Sequence, residues 1–157
     1  MIQVIDQFIN DKNIALIGVS RDQRKFGNAL LKELTKRGYI VYPVHPEIKE
    51  VEGINCYPSV DDLPEKVKNL LLVVQPKVTE EIVRQINPQR IRRVWMHRGM
   101  GSGSASIIAI EECKRKGIEV VYDFCPMMFV SQNGFHGIHF WIRKTFGKVP
   151  SEFSMIK

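Results

Sequence analysis

The stretch that decides the fold is Ile14-Ala15-Leu16-Ile17-Gly18-Val19-Ser20, followed by a basic, polar turn from Arg21 to Lys25, then Phe26-Gly27 and an amphipathic segment ending at Gly38. An apolar run that enters a glycine-bearing loop and then a helix is the strand–loop–helix unit of α/β proteins. Such a unit aims backbone N–H groups and the positive end of a helix at a phosphate. Ligand binding, rather than catalysis, is therefore the first property to explain.

Outward from that unit the pattern repeats. The first helix is expected to carry Phe26, Ala29, Leu30 and Leu34 on its buried stripe, with Gly38 as its stop. Tyr39 to Val44 reads as the second strand, and the region from Glu47 to Glu65 as irregular, with one helical turn at Ser59 to Leu63. Leu70 to Val74 is apolar on both faces, as in a central parallel strand covered on each side. Pro76 opens a helix with Val78, Ile82, Val83 and Ile86 inward. Val94-Trp95-Met96 is a strand, and Gly99, Gly101 and Gly103 form a turn into a helix with Ala105, Ile108, Ala109 and Cys113 on one face. Ser102, Ser104 and Ser106 are expected to cap that helix. Ile118 to Tyr122 closes the series. The rhythm predicts an α/β, Rossmann-like doubly wound fold, with a mostly parallel sheet and helices on both faces.

The chain of 157 residues is expected to be one domain, with 130–157 as an aromatic-rich extension whose rings complete the core; exposed ones would mark a homodimer face. No apolar run approaches the roughly 20 residues of a membrane helix, and the first residues lack a signal-peptide core. The three cysteines form no C-x-x-C pair, which suits free thiols in a cytoplasmic protein. A net charge of +6 favours anionic partners. Basic residues are spread along the chain and do not alternate with aromatics, so a small nucleotide ligand is expected rather than nucleic acid.

A dinucleotide site of the usual kind carries G-x-G-x-x-G, and an acid at the end of the second strand for the ribose hydroxyls. Here the loop runs from Gly18 to Gly27, and the second strand ends in Pro43-Val44-His45-Pro46, with Glu47 and Lys49 beyond. A site without that carboxylate, and with histidine and lysine nearby, tolerates a phosphate on the ribose. Both NADP and coenzyme A meet that condition.

The segments GVSRDQRKFG (18–27), GYIVYPVHP (38–46), Gln75-Pro76, VWMHRGM (94–100) and VVYDFCP (120–126) resemble the small bacterial and archaeal CoA-binding proteins. Their Rossmann domain is similar to the N-terminal domain of the succinyl-CoA synthetase α subunit, and the likeness covers residues 10 to 127. It implies that Gly18, Val19, Ser20, Arg24, Lys25, Phe26 and Gly27 wrap the diphosphate of CoA. Pro43, Val44, His45 and Pro46 then border the adenosine, and Gln75 and Pro76 lie beside the ligand. Arg98, Gly99 and Met100 line the pantetheine side. His45 stands where the family often has asparagine, and Arg98 where it is commonly apolar.

Other chemistry is expected to be absent. Synthetase relatives transfer phosphate through a histidine on another domain, so this chain is not expected to be a complete ligase. His97 reads as structural or ligand-contacting, and Cys125 as an inert buried thiol. His136, His139 and Cys125 would supply only three ligands to zinc, so no metal site is expected. The reading is a non-catalytic protein that binds CoA or an acyl-CoA as sensor, carrier or accessory subunit. An NADP-linked oxidoreductase and a ligand-free interaction module are the alternatives. Gly27→Asp is expected to abolish binding and leave the fold intact.

Overall fold

Leu70, Leu71 and Leu72 are all fully buried, and successive residues of a strand face opposite sides of a sheet. Both sides must therefore be covered, and the computed structural model, which describes residues 1–98 and 103–130, shows by what. The elements are α1 (Ile2–Asn10), β1 (Asn13–Ile17), α2 (Phe26–Lys36), β2 (Ile40–Val44), β3 (Glu50–Val51), β4 (Ile54–Asn55), β5 (Asn69–Leu72), α3 (Pro76–Gln85), β6 (Arg93–Met96), α4 (Ile107–Arg115), β7 (Glu119–Val121) and α5 (Met127–Val130). A 3-10 turn at Val60–Asp62 matches the single helical turn expected there. Five strands form one sheet in the order β2-β1-β5-β6-β7, and every pairing is parallel.

Leu16, Leu71, Trp95 and Val121 face α1, α2 and α5 in one apolar cluster. Ala15, Leu70, Leu72, Val94 and Met96 face α3 and α4 in the other. This is the doubly wound, Rossmann-like arrangement. Met127, Met128 and Phe129 join the first cluster, as their apolar character predicts. Phe135, Phe140, Trp141 and Phe146 lie outside the described residues.

Several sequence expectations need correction. Helix α1 was not anticipated, although Ile2, Ile5, Phe8 and Ile9 have helical spacing; it buries Ile5, Phe8 and Ile9, with Phe8 edge-on to Trp95 at 5.2 Å. On α2 the buried face is Gly27, Asn28, Leu30, Leu31 and Leu34, and Phe26 and Ala29 are exposed. Val78 and Ile108 are exposed too, because they sit in the first turns of α3 and α4, beyond the edge of the sheet. Within Glu47 to Glu65, β3 and β4 form a small antiparallel hairpin. Its turn residues Glu52 and Gly53 are both left-handed, at φ 53° and 76°, as a two-residue hairpin loop requires.

Helix α3 ends without a glycine, and a lysine from a neighbour serves instead. Lys116 Nζ donates to the carbonyls of Val83, Arg84 and Ile86 at 2.8, 2.6 and 2.9 Å. A cation at the negative end of a helix also complements its dipole. Lys116→Met should lower stability by about 2 kcal/mol, since a charged donor leaves three carbonyls behind. Urea denaturation with an unchanged m-value is the measurement.

Candidate functional site

Strand β1 lies between β2 and β5, and the chain leaves it first to one side and then to the other. Such a reversal, at the carboxyl ends of the strands, is where open α/β sheets have their ligand crevice, here bordered by the loops after β1 and β5. Val73 N–H donates to Ile17 O at 2.8 Å, which holds the two loops side by side. Gly18 has φ +130°, and a Cβ there would lie 2.4 Å from Val73 O. Gly27 is tighter still, with a would-be Cβ 2.0 Å from Gly18 O. Glycine at both positions lets the start of α2 press its backbone on the loop. The expectation that Gly27→Asp spares the fold is therefore wrong: any side chain at Gly27 collides with backbone.

The loop is strapped by a residue that sequence reading missed. Asn28 is fully buried; its Oδ1 accepts Ser20 N–H at 2.8 Å, and its Nδ2 donates to Ser20 O at 2.7 Å. A polar residue on the buried face of a helix was the available signal. Ser20 Oγ accepts Asp22 N–H, Asp22 Oδ1 accepts Arg24 N–H, and Asp22 O accepts Lys25 N–H. These bonds satisfy several loop amides internally. The N–H groups of Val19, Phe26 and Gly27 have no acceptor among the described residues. Val19 directs its side chain into the core, so its backbone is what it offers the crevice.

The other helices that begin at this edge are open in the same way. Lys25, Gln75 and Ser106 are the N-cap residues of α2, α3 and α4; none makes a side-chain cap, and no first turn carries an acid. Ser104 and Ser106 do not cap α4 as expected, and Ser102 lies outside the described residues: Ser104 Oγ accepts Val74 N–H at 3.0 Å, and Ser106 Oγ donates to Glu80 at 2.5 Å. Three helix starts with free N–H groups give the edge a positive potential. The exposed Lys25 and Lys77 add to it. Arg24 is tied to the Asp22 carboxylate at 3.0 Å and holds that carboxyl below its ordinary range through a side-chain hydrogen bond.

Beside the crevice, between the end of β2, the 3-10 turn and α3, lies a cavity of about 340 Å³ with Val44, Pro46, Val60, Val78 and Ile82 among its walls. That is within the size range of small-ligand sites. Pro43 is buried in β2, an edge strand where a missing N–H is tolerated. His45 sits at the rim, and its Nδ1 accepts N–H from both Glu47 and Ile48 at 3.1 Å. An asparagine Oδ1 makes the same kind of local turn, which is why histidine can stand in its place. Gln75 and Pro76 open α3 across the crevice.

Farther along the edge, His97 is buried after β6 and stacks on Phe26, with ring centroids 4.6 Å apart and planes at 23°. Arg98 pairs with Asp123, a left-handed residue at φ 68°, and its N–H bonds Phe124 O. Gly99 and Met100 lie outside the described residues, as do His136 and His139. Burial pushes the Cys125 thiol up to about 11 and that of Cys113 to about 12. Among the described residues no three His, Cys, Asp or Glu side chains are placed to hold a metal ion, and no helix is long and apolar enough to cross a membrane.

Free amides at a helix start, a glycine-tight loop and an adjoining apolar cavity on a Rossmann-like sheet are the features of the nucleotide-binding class of α/β proteins. Comparison with known proteins narrows that class. Residues 12–131 match the model of a CoA binding domain, and the chain belongs to that family. The alpha subunit of the ADP-forming acetate–CoA ligase II of Pyrococcus furiosus is 33% identical over 119 residues, which is 75% of this chain and 25% of the ligase subunit. The ADP-forming acetate–CoA ligase I of Archaeoglobus fulgidus is 27% identical over 127 residues, 77% of this chain and 18% of the ligase. The match thus spans a quarter or less of these relatives' own length. A hypothetical protein from Pyrococcus horikoshii superimposes with a TM-score of 0.71 at 34% identity, covering 81% of this chain and 87% of that one. The NADP reading finds no support among these matches.

Two outcomes follow from the loop geometry. Gly27→Ala should cost about 2–3 kcal/mol through overpacking, read as a lowered denaturation midpoint. Asn28→Ala should cost about 1–3 kcal/mol, because the half-buried N–H and C=O of Ser20 lose their partner, and should speed exchange of the Ser20 amide. In the native protein at neutral pH a thiol reagent should label the half-buried Cys56 first, and reach Cys113 and Cys125 only on unfolding.

Proposed function

We propose that this chain binds coenzyme A or an acyl-CoA in an extended pose across the strand ends, as a non-catalytic sensor, carrier or accessory subunit. The observation that carries the proposal is the set of unpaired amides at Val19, Phe26 and Gly27, beside the uncapped start of α2. A diphosphate is the group that such a nest of N–H donors recognises. The apolar cavity beside it suits adenine, and its floor is formed by Ile17 and Val44 at the ends of paired strands. Lys25 and Lys77 are the cations of the same edge for the ribose phosphate. Pantetheine then runs past Gln75 and the Phe26–His97 stack towards Arg98.

The non-catalytic part rests on how candidate reactive groups are employed. The Cys125 thiol is held protonated by burial, so it is a poor nucleophile. The His45 lone pair at Nδ1 is engaged by two backbone donors. His97 lies flat against Phe26.

Calorimetry with CoA, dephospho-CoA, NADP and NAD tests the reading. CoA should bind most tightly and dephospho-CoA more weakly by about tenfold, the loss of a charge-assisted contact. Tighter binding of NADP, or no binding of CoA, overturns it. Formation of ATP from acetyl-CoA, ADP and phosphate by the isolated chain would refute the non-catalytic part alone.

A further inference from the structure

Among the residues that line the cavity beside β2, one is charged, and its sign is unexpected. Eight are apolar; the polar ones are Ser59, Gln85 and Asp61. Ser59 Oγ donates to Asp62 Oδ2 at 2.6 Å, which occupies both groups. Asp61 is exposed at the mouth of the cavity, and its carboxylate has no hydrogen-bond or ion-pair partner among the described residues. The chain as a whole carries +6, and the ligand proposed above is a polyanion. A carboxylate within that ligand's site cannot face its phosphates without repulsion. Turned from water towards that ligand, it can serve only an uncharged part that donates hydrogen bonds.

The segment that presents Asp61 is held in place before any ligand arrives. Tyr57 N–H donates to Pro43 O at 2.8 Å, and His45 N–H donates to Tyr57 O at 2.9 Å, which fastens the entry of the segment to β2. Leu63 is buried in the core at its exit, and Arg90 donates to Leu63 O at 2.5 Å. Asp61 thus projects from a turn fixed at both ends, opposite the α3 face that carries Ile82 and Gln85. A fixed acceptor discriminates better than a mobile one, because no ordering cost follows the loss of a wrong partner.

We propose that Asp61 determines the base specificity of this site by accepting a hydrogen bond from the exocyclic amino group of adenine. The inference rests on the CoA reading. A carboxylate accepts and never donates. Adenine presents an amino donor at its six-position, whereas guanine and hypoxanthine present a carbonyl acceptor there. The apolar walls bind any flat purine by its faces; set against the six-position, and not against the N1–H that six-oxo purines carry beside it, Asp61 separates adenine from them by that edge. The carboxylate that is missing from the end of β2, where it would hold ribose hydroxyls, reappears on the opposite side of the cavity with a different task.

The test is calorimetry with CoA and with its deaminated analogue, in which hypoxanthine replaces adenine. Wild type should favour CoA by about tenfold. Asp61→Asn carries an amide that donates as well as accepts, so the preference should shrink to about twofold or less. Asp62→Asn, a neighbouring change of the same charge, should keep the full preference. Thermal melts establish that both variants fold. Equal binding of the two ligands by wild type, or an undiminished preference in Asp61→Asn, overturns the assignment and leaves the CoA reading standing. Failure of wild type to bind either ligand overturns both.

Discussion

The backbone contact between the start of α2 and the loop after β1 is the constraint on which the site depends. At Gly27 a Cβ would come within 2.0 Å of Gly18 O, so the helix approaches as closely as two bare backbones permit. That approach has two effects. It packs α2 against the sheet through Leu30, Leu31 and Leu34, and it leaves the amides of Phe26 and Gly27 at the helix start without acceptors among the described residues. A helix start that a serine or aspartate capped would have those donors satisfied and would offer nothing to an anion. Here packing and recognition follow from the same missing side chains.

The loop between those glycines is not loose. Asn28 holds Ser20 by both its N–H and its C=O, and the Ser20–Asp22–Arg24 series closes the turn behind it. The network fixes which amides are engaged and which are left. It also neutralises Arg24, so the positive potential of the edge comes chiefly from helix ends and from Lys25 and Lys77. Fixed dipoles of this kind need little reorganisation when a charged ligand arrives, unlike long flexible side chains.

Much of the fold was legible because the strands are short apolar runs between glycines and prolines, and their alternation with helices implies a parallel sheet covered on both faces. Legibility failed where a residue's role depends on a partner distant in sequence. Phe26 and Ala29 have helical spacing with Leu30, yet they lie outside the packed face, because Gly27 is what sits against the loop. Ser104 and Ser106 have the composition of caps, but Val74 and Glu80, from the turn and helix after β5, claim them first. Asn28 looked like one more polar helix residue until its partner eight positions earlier was in view. For the site, the segments after β1, β2 and β5 gather at one edge as their motifs imply; what each side chain does there is a tertiary fact. His45 shapes its own turn, and Arg98 is held by Asp123.

The two ends of the crevice are built on different terms. On the β2 side the cavity is floored by the ends of paired strands at Ile17 and Val44, and the segment opposite is fastened at both ends, so that side is held in shape by the fold. On the β6–β7 side the groups are a stacked pair, Phe26 on His97, and an ion pair at the surface, with Arg98 and Asp123 both about half exposed. Exposed ion pairs contribute little to stability and exchange partners at small cost. A rigid end and an exchangeable end are what a site needs to hold one part of a ligand firmly while another part varies. The same division builds the β2 side from backbone contacts and packed side chains, where substitution is costly, and the far side from side chains that the fold does not need.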